Sequence, residues 1–96
     1  MIRHVVFFKF KPEVSPADRA DLVARLRALP ERVPGILQPE VGEDLVRSPR
    51  SYDVALVFGF EDRAAMDRYQ VHPNHVPVVE RARRLCESII AVDYEL

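Results

Sequence analysis

The residues of this chain best suited to move a proton at neutral pH are His4, Tyr69, His72 and His75. A neutral imidazole, with an ordinary pKa of ~6.5, is a competent general base near pH 7. A tyrosine hydroxyl can hydrogen-bond a carbonyl oxygen and stabilise the enolate charge that develops when the adjacent carbon loses its proton. Together these groups suit proton abstraction beside a carbonyl, as in cyclisation, isomerisation or decarboxylation. The competing role is structural, because buried polar side chains most often serve a fold through hydrogen bonds. His4 would then be a satisfied core histidine, Tyr69 a core aromatic with a local partner, and His72 a capping or packing residue ahead of Pro73.

A metal centre is the third possibility for the same residues. The spacing His72-x-x-His75 straddles a proline rather than forming an i, i+4 helical pair, and no cysteine supports it. No metal and no cofactor is expected. Cys86, beside Arg83, Arg84 and Glu87, reads as a buried, inert thiol. Arg81, Arg83 and Arg84 read as the solvated face of a helix.

The elements that must position these groups follow from local chemistry. Ile2–Lys11 is a β-strand rich in β-branched and aromatic residues, with Ile2, His4, Val6, Phe8 and Phe10 on one face and Val5 and Phe7 on the other. Ser15-Pro16-Ala17-Asp18 begins a helix through its cap, its first-turn proline and an acid at the positive end of the dipole. Leu22, Val23, Leu26 and Leu29 recur at helical spacing, and Pro30 is expected to stop the helix. After the Val33-Pro34-Gly35 turn, Ile36–Val46 is a weaker strand whose Pro39 and Gly42 suit an edge or a bulge.

Tyr52–Phe60 is the most apolar strand, with Tyr52, Val54, Leu56, Phe58 and Phe60 expected on one face against Ala55 and Val57. Asp62 can cap a short helix carrying Ala65, Met66 and Tyr69. His72-Pro73-Asn74-His75 breaks it, since a residue before proline disfavours the helical region. A further helix from about Asn74 to Leu85 has Val76, Val79, Ala82 and Leu85 as its inner stripe. The last strand, about Glu87 to Tyr94, sets Ser88, Ile90, Val92 and Tyr94 against Ile89, Ala91 and Asp93.

The order β-α-β-β-α-β predicts an α+β, ferredoxin-like fold with a four-stranded antiparallel sheet, forming one domain over 1–96. Helices cover one face of such a sheet. The other would carry Val5, Phe7, Ala55, Val57, Ile89 and Ala91, more apolar surface than a soluble monomer leaves bare. A homodimer packing sheet to sheet would bury it.

Composition closes off other classes. The chain has 96 residues, 48% of them apolar, which is enough for a packed interior. Its formal charge of −1, with acids and bases interleaved, leaves no electrostatic footprint for nucleic acid. The free face of the third strand, with Asp53, Ala55, Val57 and Gly59, also lacks the basic and aromatic residues that stack bases. Apolar runs such as Val54–Phe60 fall far short of the ~20 residues a membrane span needs. The opening Met1-Ile2-Arg3-His4-Val5 is strand-like rather than a signal peptide, and a single cysteine fits a reducing compartment. A cytoplasmic location is expected.

Five segments, in this order, resemble the stress-responsive α/β-barrel domain (Dabb) family. They are Ile2-Arg3-His4-Val5-Val6, Val33-Pro34-Gly35-Ile36, Tyr52-Asp53-Val54-Ala55-Leu56-Val57, His72-Pro73-Asn74-His75 and Val92-Asp93-Tyr94. The likeness spans essentially the whole chain and implies a dimeric α+β barrel built from two four-stranded sheets. The His-Pro-x-His segment is similar to that of a plant polyketide-cyclase branch, which closes a poly-β-ketone chain by aldol condensation without metal or organic cofactor. That resemblance implies Tyr69 and His75 as a catalytic pair, with His4 and His72 binding substrate. A pocket tyrosine of that branch falls on Leu26, which implies a differently shaped cavity.

Two functions therefore stand for test. One is a cofactor-independent cyclase or isomerase with His75 as base, Tyr69 as hydrogen-bond donor and His4 as orienting group, acting on a small apolar or keto-type ligand. The other is a non-catalytic, stress-related or ligand-binding dimer whose histidines tie helices to the sheet. A cavity reached by His4, Tyr69 and His75 favours the first, and a filled core there favours the second.

Overall fold

The computed structural model describes residues 1–96. The elements are β1 (Ile2–Phe10), α1 (Pro16–Arg32), β2 (Leu37–Glu43), β3 (Val54–Phe60), α2 (Arg63–Gln70), α3 (Val76–Leu85) and β4 (Cys86–Glu95). The strands form one sheet in the order β2-β3-β1-β4, with every neighbouring pair antiparallel. This is the expected ferredoxin-like βαββαβ arrangement, with the second helical position divided into α2 and α3.

Helices cover one face. Val6, Phe8 and Phe10 of β1 and Val54, Leu56, Phe58 and Phe60 of β3 are buried against Leu22, Val23, Leu26 and Leu29 of α1. Each fully buried side chain of this size contributes roughly 1.5–3 kcal/mol. The Ser15 hydroxyl accepts the Asp18 amide at 3.1 Å and caps α1 as expected. Pro30 does not stop the helix, which runs on to Arg32. Pro30 lies in the last turn, so the one backbone bond it omits, to Leu26 O, falls next to the helix end, and the turn is closed by the cap residue Val33, whose amide donates to Leu29 O at 2.9 Å.

β2 is the weak edge strand its proline and glycine predict, with a register shift between Leu37 and Glu40. Tyr52 departs from expectation. β3 begins only at Val54, so strand alternation does not extend back to Tyr52, and its ring packs on the bare face beside Phe7 at 6.4 Å. Its hydroxyl shares a hydrogen bond with Ser88 Oγ at 2.8 Å.

Asp62 caps α2 by accepting the Ala65 amide at 2.8 Å, and Ala65, Met66 and Tyr69 are its buried residues. In α3 only Ala82 is fully buried, with Val78 and Leu85 packed on the core, while Val76 is exposed. Val76 is the first helical residue, and the ring of His75 takes the inward place one position earlier.

The main correction concerns β4. Phe10 pairs with Cys86 but Lys9 pairs with Ser88, so Glu87 is an extra residue. Such a bulge inverts the facing of every later residue. Ile89, Ala91 and Asp93 lie opposite Phe8, Val6 and His4 and therefore point to the helices. Ile90, Val92 and Tyr94 lie opposite Phe7, Val5 and Arg3. The bare face thus carries Val5, Phe7, Ala55, Val57, Ile90 and Val92 at its centre, not Ile89 and Ala91. The corrected face is still more apolar, with Phe7, Ile90, Val92 and Tyr94 all exposed.

Candidate active site

Between the sheet and α3 lies a half-enclosed cavity of about 520 Å³, within the range of small-molecule sites. Its walls are mostly apolar, with Val6, Phe8, Leu56, Val79 and Ala82 among them. Leu26, at the position where the resemblance places a tyrosine, is part of the wall. The lining also brings together His4, Tyr69 and His75, three of the four residues singled out from sequence.

His75 is positioned by the chain break before it. His72 O accepts the amides of His75 at 2.9 Å and Val76 at 3.1 Å, and the Asn74 side chain donates to Arg32 O at 3.0 Å. That turn anchors the start of α3 to the end of α1. The His75 ring then reaches back to Gln70 O, 3.1 Å from its Nδ1. A carbonyl can only accept, so Nδ1 carries the proton and Nε2 holds the lone pair of the neutral ring. Burial lowers the His75 pKa below its ordinary value, and the hydrogen bond to Gln70 O only partly opposes this. The ring is therefore neutral at pH 7, in the tautomer of a base.

Tyr69, from the last turn of α2, is 2% exposed, and its ring centroid lies 4.0 Å from that of His75. Phe60 at 5.1 Å and Phe58 at 5.9 Å complete an aromatic surround. Burial raises the Tyr69 pKa well above the normal tyrosine range, so the hydroxyl stays protonated and acts as a donor. The Tyr69 hydroxyl, unlike that of Tyr52, has no hydrogen-bond partner within the chain, and Tyr69 lines the cavity, so the hydroxyl is free to engage a ligand.

His4 on β1 is 6% exposed and stands edge-on to Tyr69 at 5.9 Å. Its Nδ1 is hydrogen-bonded to a carboxylate oxygen of Asp93, directly across the β1–β4 ladder. Asp93 is a site residue that sequence reasoning missed. Uninterrupted alternation puts it on the opposite face from His4, and only the bulge at Glu87 brings it round.

His72 is not brought into this group. It is absent from the cavity wall, and its Nδ1 accepts the Asn74 amide at 3.0 Å, closing the turn. Cys86 does line the cavity, but burial pushes its thiol up to about 11, consistent with the inert thiol expected. No group of three or more histidine, cysteine or acidic side chains converges in a way that could hold a metal ion. No helix is long and apolar enough to cross a membrane.

The chain is 33% identical over 97 aligned positions to an uncharacterised protein of Streptomyces coelicolor, covering 99% of each chain. It is 23% identical over 95 positions to olivetolic acid cyclase of Cannabis sativa, covering 97% of this chain and 94% of that enzyme. Among solved structures it is similar to a dimeric ferredoxin-like protein of unknown function from Thermobifida fusca. That match has a TM-score of 0.89 and 26% identity, and covers 99% of this chain and 90% of the other. The model of the Stress Responsive A/B Barrel Domain matches residues 2–96, and this chain belongs to that family.

Proposed function

We propose that this protein is a cofactor-independent enzyme of the cyclase or isomerase type that removes a proton from carbon adjacent to a carbonyl. The observation that carries this reading is the His75 tautomer. With Nδ1–H donated to Gln70 O, the basic Nε2 belongs to a ring in the wall of a largely apolar cavity, in tilted contact with Tyr69. In the reaction His75 Nε2 takes the proton from carbon, and the C–H electrons move into the carbonyl, whose oxygen becomes an enolate. The Tyr69 hydroxyl donates to that oxygen, a contact strengthened as charge develops. Return of the proton from His75 to a different carbon gives isomerisation, and attack of the enolate carbon on a second carbonyl of the same chain gives cyclisation, the new alkoxide taking the proton from His75. The Asp93 carboxylate holds the His4 ring and its tautomer, making His4 an orienting group.

The likeness to olivetolic acid cyclase over nearly the whole chain supports this chemistry. A homodimer is part of the proposal. The bare sheet face carries Val5, Phe7, Val57, Ile90 and Val92, and the Thermobifida fusca relative is dimeric. A second copy packed sheet to sheet would bury this surface and leave the cavity on the opposite face.

The test is hydrogen–deuterium exchange, followed by NMR, at the carbon beside the carbonyl of a simple methyl ketone. The wild-type protein should accelerate exchange, and His75→Ala should lower the rate by ~10²–10⁴ while the circular dichroism spectrum is kept. The second reading, a ligand-binding dimer with structural histidines, draws on the in-chain partners of both His4 and His75. It predicts no exchange above background and a His75→Ala variant that unfolds.

A further inference from the structure

The two ends of the cavity differ in a way the proton-abstraction chemistry does not use. α3 lies along it, contributing His75, Val79, Ala82 and Arg83. His75 and Arg83 are eight residues apart, ~12 Å along the helix axis. β4 runs back along the same space from Cys86 through Ile89 to Asp93. One end therefore holds His75, Tyr69 and the His4–Asp93 pair, and the other holds Arg83 and Glu87.

Arg83 is the one cation in the cavity wall. Its neighbour Arg81 is engaged by Asp18 at 3.2 Å and Asp21 at 3.5 Å. Arg83 has no ion-pair partner: Glu80 lies about one turn earlier and Glu87 is on the same rim, yet neither reaches salt-bridge distance. Asp93, the remaining acid of the wall, is at the far end and held by His4. Arg83 follows Val79 by one helical turn, so its aliphatic stem extends the apolar wall and its guanidinium ends at the rim. Exposed cations in a last turn commonly serve the helix dipole, and Arg84 is placed to do this without touching the cavity.

Resting on the proton-abstraction function above, we propose that the substrate is a keto acid of extended shape. Its reacting carbonyl lies at Tyr69 and His75, its apolar chain runs along Val79 and Ala82, and its carboxylate pairs with Arg83. A guanidinium matches a carboxylate with two parallel hydrogen bonds, a fit that an ester cannot reproduce. Glu87 on the same rim opposes an anion, and so narrows the favourable position to the Arg83 side.

The experiment is isothermal titration of the full-length protein at neutral pH with two probes. One is a saturated ten-carbon carboxylic acid ending in a methyl ketone, and the other is its methyl ester. The acid should bind about tenfold tighter than the ester to the wild type, as expected for a charge-assisted pair. Arg83→Gln should abolish the difference, Arg83→Lys should keep part of it, and Glu87→Gln should enlarge it. Arg84→Gln, off the cavity, should leave it unchanged. Equal binding of acid and ester, no binding of either, or equal effects of Arg83→Gln and Arg84→Gln would each overturn the inference. Binding is read apart from exchange: acid-selective binding without exchange refutes the catalytic function alone, and exchange with equal binding of both probes refutes the carboxylate site alone.

Discussion

The two faces of β1 are made of alternate residues of one strand, yet they have opposite fates. His4, Val6, Phe8 and Phe10 are buried under the helices, while Val5 and Phe7 look outward with Ile90 and Val92 beside them. The covered face is not uniformly filled. Around α1 it is a tight core, with Leu22, Leu29, Phe58 and Phe60 at 0–1% exposure. Toward β4 it opens into the cavity, because α3 spans the edge strand with only Ala82 fully buried. The bare face carries no histidine and no helix covers it; its polar contact is the Tyr52–Ser88 hydrogen bond beside Phe7. Apolar surface alone thus separates neither face, and what distinguishes them is whether imidazoles able to move a proton are held among it with defined partners. On the covered face His4 and His75 each have one ring nitrogen tied, to Asp93 and to Gln70 O, which leaves the other nitrogen defined for chemistry.

Substitutions on the two faces should fail in different ways. The largest effect is expected at His75, where replacement by alanine should cost ~10²–10⁴ in exchange rate and leave the oligomer intact. Phe58→Ala, in the tight part of the covered face, should lower stability by about 3–5 kcal/mol in urea unfolding, again without changing the oligomer. Adjacent positions on β3 and β4 then separate the faces most directly. Val57→Asp and Val92→Asp place a charge on the bare face and should shift light scattering to a monomer of 11.0 kDa or precipitate the protein. Ala91→Asp, one residue from Val92 but lining the cavity, should weaken ketone binding and leave the dimer. If Ala91→Asp dissociates the protein and Val92→Asp does not, the bulge at Glu87 is wrongly placed.

Smaller effects sharpen the covered face itself. Tyr69→Phe removes only a hydroxyl, and should slow exchange by about tenfold while stability changes by less than ~1.5 kcal/mol. The smallest effect is a pH shift. Burial depresses the His75 pKa, so the acid limb of the exchange profile should lie below the ~6.5 of an ordinary histidine. The same depression has a stability consequence. The contribution of neutral His75 is fully present above the unfolded-state pKa and is lost as pH falls through the lower folded-state value. His75→Gln should flatten that part of the stability profile, as thermal melts across this range would record.

Much of this molecule is legible along the chain. Ser15 and Asp62 announce their helices, Pro39 and Gly42 mark the edge strand, and the His72-Pro73-Asn74-His75 break sets where α3 begins. All of these are local effects, decided within a few residues by capping chemistry or by the geometry of proline and glycine. The facing of His4 and the inward stripe of α2 that carries Tyr69 are local too, since they follow from strand and helix periods alone. Pro30 and Val76 depart from their local patterns because both lie at helix ends, where a single residue decides between inside and out.

The residues capable of proton chemistry, the order of the elements and the excess of apolar strand surface were determined by the sequence itself. Tertiary structure decided which of those residues meet. Glu87 carries no local mark of a bulge, because a bulge is defined by the partner strand: Lys9 opposite Ser88 and Phe10 opposite Cys86. That one unpaired residue reverses the rest of β4. It turns Ile90 and Val92 onto the bare face and delivers Asp93 to His4, since strand alternation has a period of two and any extra residue exchanges the faces.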